Sequence, residues 1–140
     1  MGNDKRFGVT FQVDLQDMNM IPDNSYSMWI FSHVLEHVPD DRKALRELHR
    51  ILKPNGIELL LVPLDINMLE KDEEIGCSEE ENWRRFGQGD HVRKYAKLDV
   101  MKRITESGFS LKCLGKEYFG EQLFKKNGLS DTATLYVVRK

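Results

Sequence analysis

Apolar residues crowd residues 28–34 (MWIFSHV) without clean alternation, the pattern of a strand buried on both faces of a parallel sheet. Then the period changes. Ala44, Leu45, Leu48, Ile51 and Leu52 recur at helical spacing and form one apolar stripe. Asp40-Asp41 in front of that stripe supplies a cap and acidic charge at the helix's positive end. Lys53-Pro54-Asn55-Gly56 stops the helix with a cation, a breaker and a left-handed turn candidate. Residues 57–62 (IELLLV) form a second strand, closed by Pro63. Residues 28–62 therefore predict a strand–helix–strand crossover of an α/β sheet, with right-handed connection. Ahead of it, residues 7–15 (FGVTFQVDL) predict a strand ending at Asp14, and Pro22-Asp23-Asn24-Ser25 is turn chemistry.

Beyond the crossover the periodicity weakens. Residues 65–95, acidic over residues 70–81, are expected to be a lid or substrate-binding insertion. Trp83 and Phe86 at helical spacing suit a short anchoring helix there. A helix is predicted over residues 99–106, ended by Gly108, and strands over residues 109–114 and 132–138. The last of these, TATLYVV, alternates with period two and reads as antiparallel.

Composition changes this picture little. The 140 residues make one ordinary domain, and 40% hydrophobic content supports a core. A net charge of −2 gives no electrostatic reason to expect nucleic-acid or membrane partners. No apolar run approaches the roughly 20 residues of a membrane span, and no hydrophobic signal region opens the sequence. Cys77 and Cys113 form no metal or disulfide pattern and suit reduced thiols, so a cytoplasmic location is expected.

The segment HVLEH (residues 33–37) matches the H-x-x-E-H pattern of inverted zinc metalloproteases. That chemistry needs a helix presenting His33 and His37 on one face. Strand-forming Trp29, Ile30 and Phe31 run straight into the segment, and Pro39 follows it, so no such helix and no metal site are expected. At the carboxyl end of a strand, His33 or His37 suits a general base near pH 7 instead. The other reading is local hydrogen bonding that holds the loop. Residues 89–95 gather a base, a cation and an aromatic in the insertion: His91, Arg93 and Tyr95. An anionic acceptor group would pair with Arg93, or Asp90 and Arg93 would tie the insertion to the core.

Taken in order, Asp14 ending a strand, the PDNSY turn, VLEHVPD, a helix ending in LKPNG and the strand IELLLVP resemble the class I S-adenosylmethionine-dependent methyltransferases, in particular the type-11 group. The resemblance implies a partial Rossmann-like α/β sheet, mostly parallel with an antiparallel C-terminal strand, flanked by helices. It implies S-adenosylmethionine as cofactor and an unidentified small-molecule acceptor. Asp14 and Leu15 match the positions that meet the adenine, while Phe31 and Ser32 match the loop bordering the methionine part. The family's first strand, glycine-rich loop and second-strand acid would precede Phe7, so a truncated methyltransferase domain that binds cofactor incompletely on its own is expected. The alternative is a non-catalytic oligomerisation or partner-binding domain. Without those strands residues 28–34 would become a bare apolar edge, and a homo-oligomer is expected, formed by edge pairing or by swapping the residue 7–15 strand.

Overall fold

The computed structural model describes residues 12–65 and 67–140. Asp40 caps the first helix, α1 (Asp41–Ile51), its carboxylate accepting the Lys43 amide at 2.8 Å. The stripe Ala44, Leu45, Leu48, Ile51 and Leu52 is wholly buried, as its spacing predicts. On either side of α1 run β1 (Tyr26–Ser32) and β2 (Leu52–Leu61), which pair in parallel. The second strand begins five residues before its predicted start. Tyr26 pairs with Leu52 and Met28 with Ile57, so residues 53–56 bulge outward, with Asn55 in the left-handed region at φ 63°. A side chain at Gly56 would lie 2.5 Å from Leu52 Cγ, which explains the glycine in this fold-back.

The sheet order is β1-β2-β7-β6, with β6 (Ser110–Leu114) and β7 (Leu135–Arg139) antiparallel neighbours. The C-terminal strand is thus antiparallel to β2, as expected. Phe31, Leu60 and Tyr136 stand side by side on one face and pack with α1 and with Val100 and Ile104 of α3 (Lys97–Glu106). The opposite face corrects an expectation. Residues 28–34 are not covered on both faces: Met28 is 51% and Ile30 68% exposed. β1 is an edge strand of the described sheet, and α5 (Glu121–Lys126) shares a cavity with Leu61, Leu114 and Leu135 towards the other side. Short α4 (Lys116–Phe119) precedes α5, filling the interval between the last two strands.

The strand predicted over residues 7–15 lies outside the described residues as far as residue 11. Residues 12–15 are not strand; Asp14 and Asp17 form an isolated bridge closing a tight turn.

Residues 65–95 carry regular structure that their sequence conceals. α2 (Glu79–Phe86), capped by Ser78, buries Phe86 and leaves Trp83 exposed. A three-stranded sheet of order β3-β5-β4 joins β3 (Leu64–Asp65), β5 (Arg93–Ala96) and β4 (Asp72–Glu73). Ion pairs fasten it. Arg93 and Arg103 are buried with Asp41 and reach Glu73 at 2.7 and 3.1 Å, while the buried Tyr95 hydroxyl donates to Asp41.

Candidate active site at the carboxyl ends of β1 and β2

β1 ends at Ser32, and His33 turns the chain through a left-handed conformation while its amide still donates to the Leu61 carbonyl at 2.9 Å. Leu35–His37 then form one 3-10 turn. The helix that a His33/His37 metal pair requires does not form. Arg93 reaches under this loop, donating to the carbonyls of Leu35 (2.6 Å), Val38 and Pro39 (2.7 Å). The Val92 amide adds a bond to the Glu36 carbonyl at 2.9 Å. A loop so short and so bonded presents its side chains in fixed positions.

Beside it opens a cleft of about 680 Å³ whose wall includes His33, Val62, Lys97, Cys113, Lys116 and Thr134. It lies where open α/β sheets hold ligands, beyond the carboxyl ends of the parallel strands. Lys116 is paired with Asp131 at 2.9 Å, which raises its pKa and keeps it cationic.

The expected site residues divide into two groups. His33 stands at the cleft with its side chain 61% exposed, Nδ1 3.5 Å from Glu36 Oε1. Phe31 is buried beneath the loop and Ser32 is exposed at the strand end. Asp14 lies in a turn whose Gln16 side chain accepts the Asp40 amide at 2.9 Å, so this turn and the His33 loop both abut the start of α1. The Asp14 carboxylate accepts from the Gln16 amide and side chain, and these bonds lower its pKa and keep it ionised. Leu15 packs partly against the core.

His37 and His91 turn away towards each other, their rings edge to face at 4.6 Å. His37 Nδ1 meets the Asp90 carboxylate at 3.1 Å. Burial, then the charge of a protonated His37, push the His91 pKa down and favour its neutral form. Arg93 and Tyr95 are fully buried, and every Arg93 nitrogen donates to the chain itself, so their polar groups are spent on holding the loop.

Sequence reasoning passed over Lys97, Lys116 and Thr134, and read Glu36 only as a loop-holding hydrogen-bond partner of the histidines. Glu36 is wholly buried with both carboxylate oxygens lacking a hydrogen-bond partner among the described residues. Its only signal was a place inside HVLEH. The other three sit at element ends, where no periodicity marks them.

An adenosyl cofactor fits these residues in part. Exposed, ionised Asp14 uses one oxygen for both Gln16 bonds, leaving the second without a hydrogen bond among the described residues, as an acceptor for an amino group. Leu15, partly exposed, supplies apolar surface, while Phe31 is buried and backs the loop from the core. A G-x-G turn between strand and helix is absent among the described residues, because Gly87 and Gly89 follow α2 and lead into β5.

Residues 2–60 match the family model described as a methyltransferase domain. Over 124 residues the chain is 32% identical to the ubiquinone/menaquinone biosynthesis C-methyltransferase UbiE of Pasteurella multocida, covering 75% of this chain and 46% of that protein. The chain thus spans less than half the length of this curated relative. An S-adenosylmethionine-dependent methyltransferase from Mesorhizobium loti superposes with TM-score 0.61 at 18% identity, covering 93% of this chain and 68% of that one. The [4+2]-cyclase SpnF superposes with TM-score 0.59 at 13% identity, covering 96% and 58%. The two solved structures share this fold, though one is described as a methyltransferase and the other as a cyclase.

Proposed function

Since the chain is a relative of the class I methyltransferases in sequence and in fold, we propose that it provides the acceptor-side half of an S-adenosylmethionine-dependent methyltransferase site. The cleft bounded by His33 at the end of β1 carries this reading. S-adenosylmethionine supplies an electrophilic methyl group, and displacement of that kind asks the protein mainly for alignment. Asp14 and Leu15 hold the adenine side, Phe31 and Ser32 the methionine side. His33, exposed at the cleft, takes the proton from an O–H, N–H or C–H acceptor. Lys97 and Lys116 share the cleft wall with Glu117 and Asp131, a charge-balanced lining suited to a small polar acceptor. His91, Arg93 and Tyr95, the earlier substrate candidates, act by holding the His33 loop rather than by contact.

The test is a titration of the labelled chain with S-adenosylhomocysteine followed by amide NMR. Weak binding, with shifts at Asp14, Leu15, Phe31 and Ser32, is expected. Micromolar affinity would contradict the half-site reading, and no shifts at these residues at millimolar ligand would remove the cofactor wall.

The exposure of Met28 and Ile30 favours a second reading, an association domain that covers this edge with another copy of the chain. On it, Ile30→Lys lowers the weight-average mass in light scattering towards the monomer without lowering the melting temperature. A wild-type chain already monomeric at high concentration would end this reading.

A further inference from the structure

Glu36, His37 and His91 offer one ligand atom each within 4.8 Å of one another, from two segments 54 residues apart in sequence. The geometry points to a divalent transition-metal site of the zinc class at this cluster, distinct from the His33/His37 pair that the sequence pattern suggested. Three observations carry it. The Glu36 carboxylate is fully buried, yet neither oxygen has a hydrogen-bond partner among the described residues. An uncompensated carboxylate in that position is costly, and a cation is what it lacks. Next, His37 Nδ1 faces the Asp90 carboxylate at 3.1 Å and the Asp90 carbonyl at 3.3 Å, while Nε2 faces Glu36 Oε1 at 4.0 Å. A carboxylate behind the remote nitrogen fixes the tautomer that leaves Nε2 a free lone pair, the usual outer-shell arrangement of metal-bound histidine. Finally, the Val92 amide bond to the Glu36 carbonyl holds His91 beside Glu36 through the backbone, so the donors are preassembled.

Tetrahedral zinc with bonds of about 2.0–2.2 Å separates its ligand atoms by roughly 3.4 Å, so small side-chain movements suffice. Two imidazoles and one carboxylate are a borderline donor set that selects zinc, cobalt or nickel over calcium or magnesium. Three protein donors leave one coordination place for water. The ion would clamp residues 90–92 onto the loop after β1.

Chelator-stripped full-length chain is titrated with Co²⁺ and followed by its visible absorption, with Zn²⁺ calorimetry alongside. One ion per chain is expected, with a nitrogen- and oxygen-ligated spectrum and no thiolate charge-transfer band from Cys77 or Cys113. His37→Asn and His91→Asn should each weaken binding beyond the roughly 100-fold range of outer-shell losses, and Asp90→Asn by about 10-fold. His49→Asn, remote from the cluster against Phe109, should bind as the parent does. Should either ligand variant fail to fold, the parent spectrum and exposed Asp90→Asn decide. Absence of stoichiometric uptake, a thiolate band, or unchanged affinity in the folded variants would overturn the site.

Discussion

Asp41→Ala is expected to lower the unfolding temperature by about 10–15 °C, followed by circular dichroism at neutral pH. Asp41 is 2% exposed, and one carboxylate oxygen accepts from both the Tyr95 hydroxyl and Arg103. Arg93 Nε lies 3.8 Å away. Without this carboxylate, Arg93 keeps Glu73 and Arg103 keeps Glu73 and Asp99, but both lose the buried charge between them, and the Tyr95 hydroxyl loses its nearest acceptor. Burial, followed by the Asp41 charge, pushes the Tyr95 phenol far up, so it is a donor at every working pH. Breaking a buried pair from one side costs about 3–5 kcal/mol, and a domain of this size loses about 3 °C per kcal/mol. The exposed pair Arg42–Glu106 supplies the contrast: Arg42→Ala should cost less than about 1 kcal/mol. If the two variants melt within 3 °C of each other, the buried network is not what fastens residues 65–95 to the core.

The second large effect concerns Glu58, whose side chain sits wholly buried on the covered face of the sheet between Trp29 and Val138. Neither carboxylate oxygen, nor the Trp29 indole N–H, has a hydrogen-bond partner among the described residues. Burial raises the Glu58 pKa from 4.5 to about 7. Below pH 4.5 the carboxyl is protonated in the folded and unfolded chains alike and contributes no pH dependence. Between pH 4.5 and 7 the unfolded chain loses its proton first, so stability falls as pH rises. Above pH 7 the loss is complete, at about 3 kcal/mol. Glu58→Met, similar in volume and uncharged, removes this dependence. It should therefore gain about 3 kcal/mol more over the parent at pH 8 than at pH 4.5, read from urea midpoints. Equal gains at both pH values would show that Glu58 is hydrated or paired in the folded protein.

Local patterns revealed the crossover and little of what surrounds it. α1 was legible because its stripe and its Asp40 cap are decided within a dozen residues. β1 was legible as a strand, but apolar character alone does not say what lies above Met28 and Ile30, and they proved exposed. Residues 65–95 were opaque for another reason. Their contacts are charged side chains, such as Arg93 on Glu73 and Arg85 on Asp72, and burial of paired charge leaves no apolar period to read. At the site, His33, Phe31 and Ser32 were placed by the end of a predicted strand. The meeting of His91 with Glu36 and His37 was invisible, because only the tertiary path of β5 brings it there.

One guanidinium has a further consequence for how this protein is made. Arg93 binds three carbonyls that precede it by 54 to 58 residues. Chains are synthesised at about 5–20 residues per second, so residues 35–39 leave the ribosome seconds before their fastener exists. During that interval β1 and β2 can pair with each other across α1, although β7 and α3 are still to come, whereas the loop between β1 and α1 has only water in place of Arg93 on its carbonyls. The HVLEH loop is therefore a late arrival in folding, shaped only when the second, smaller sheet closes over it.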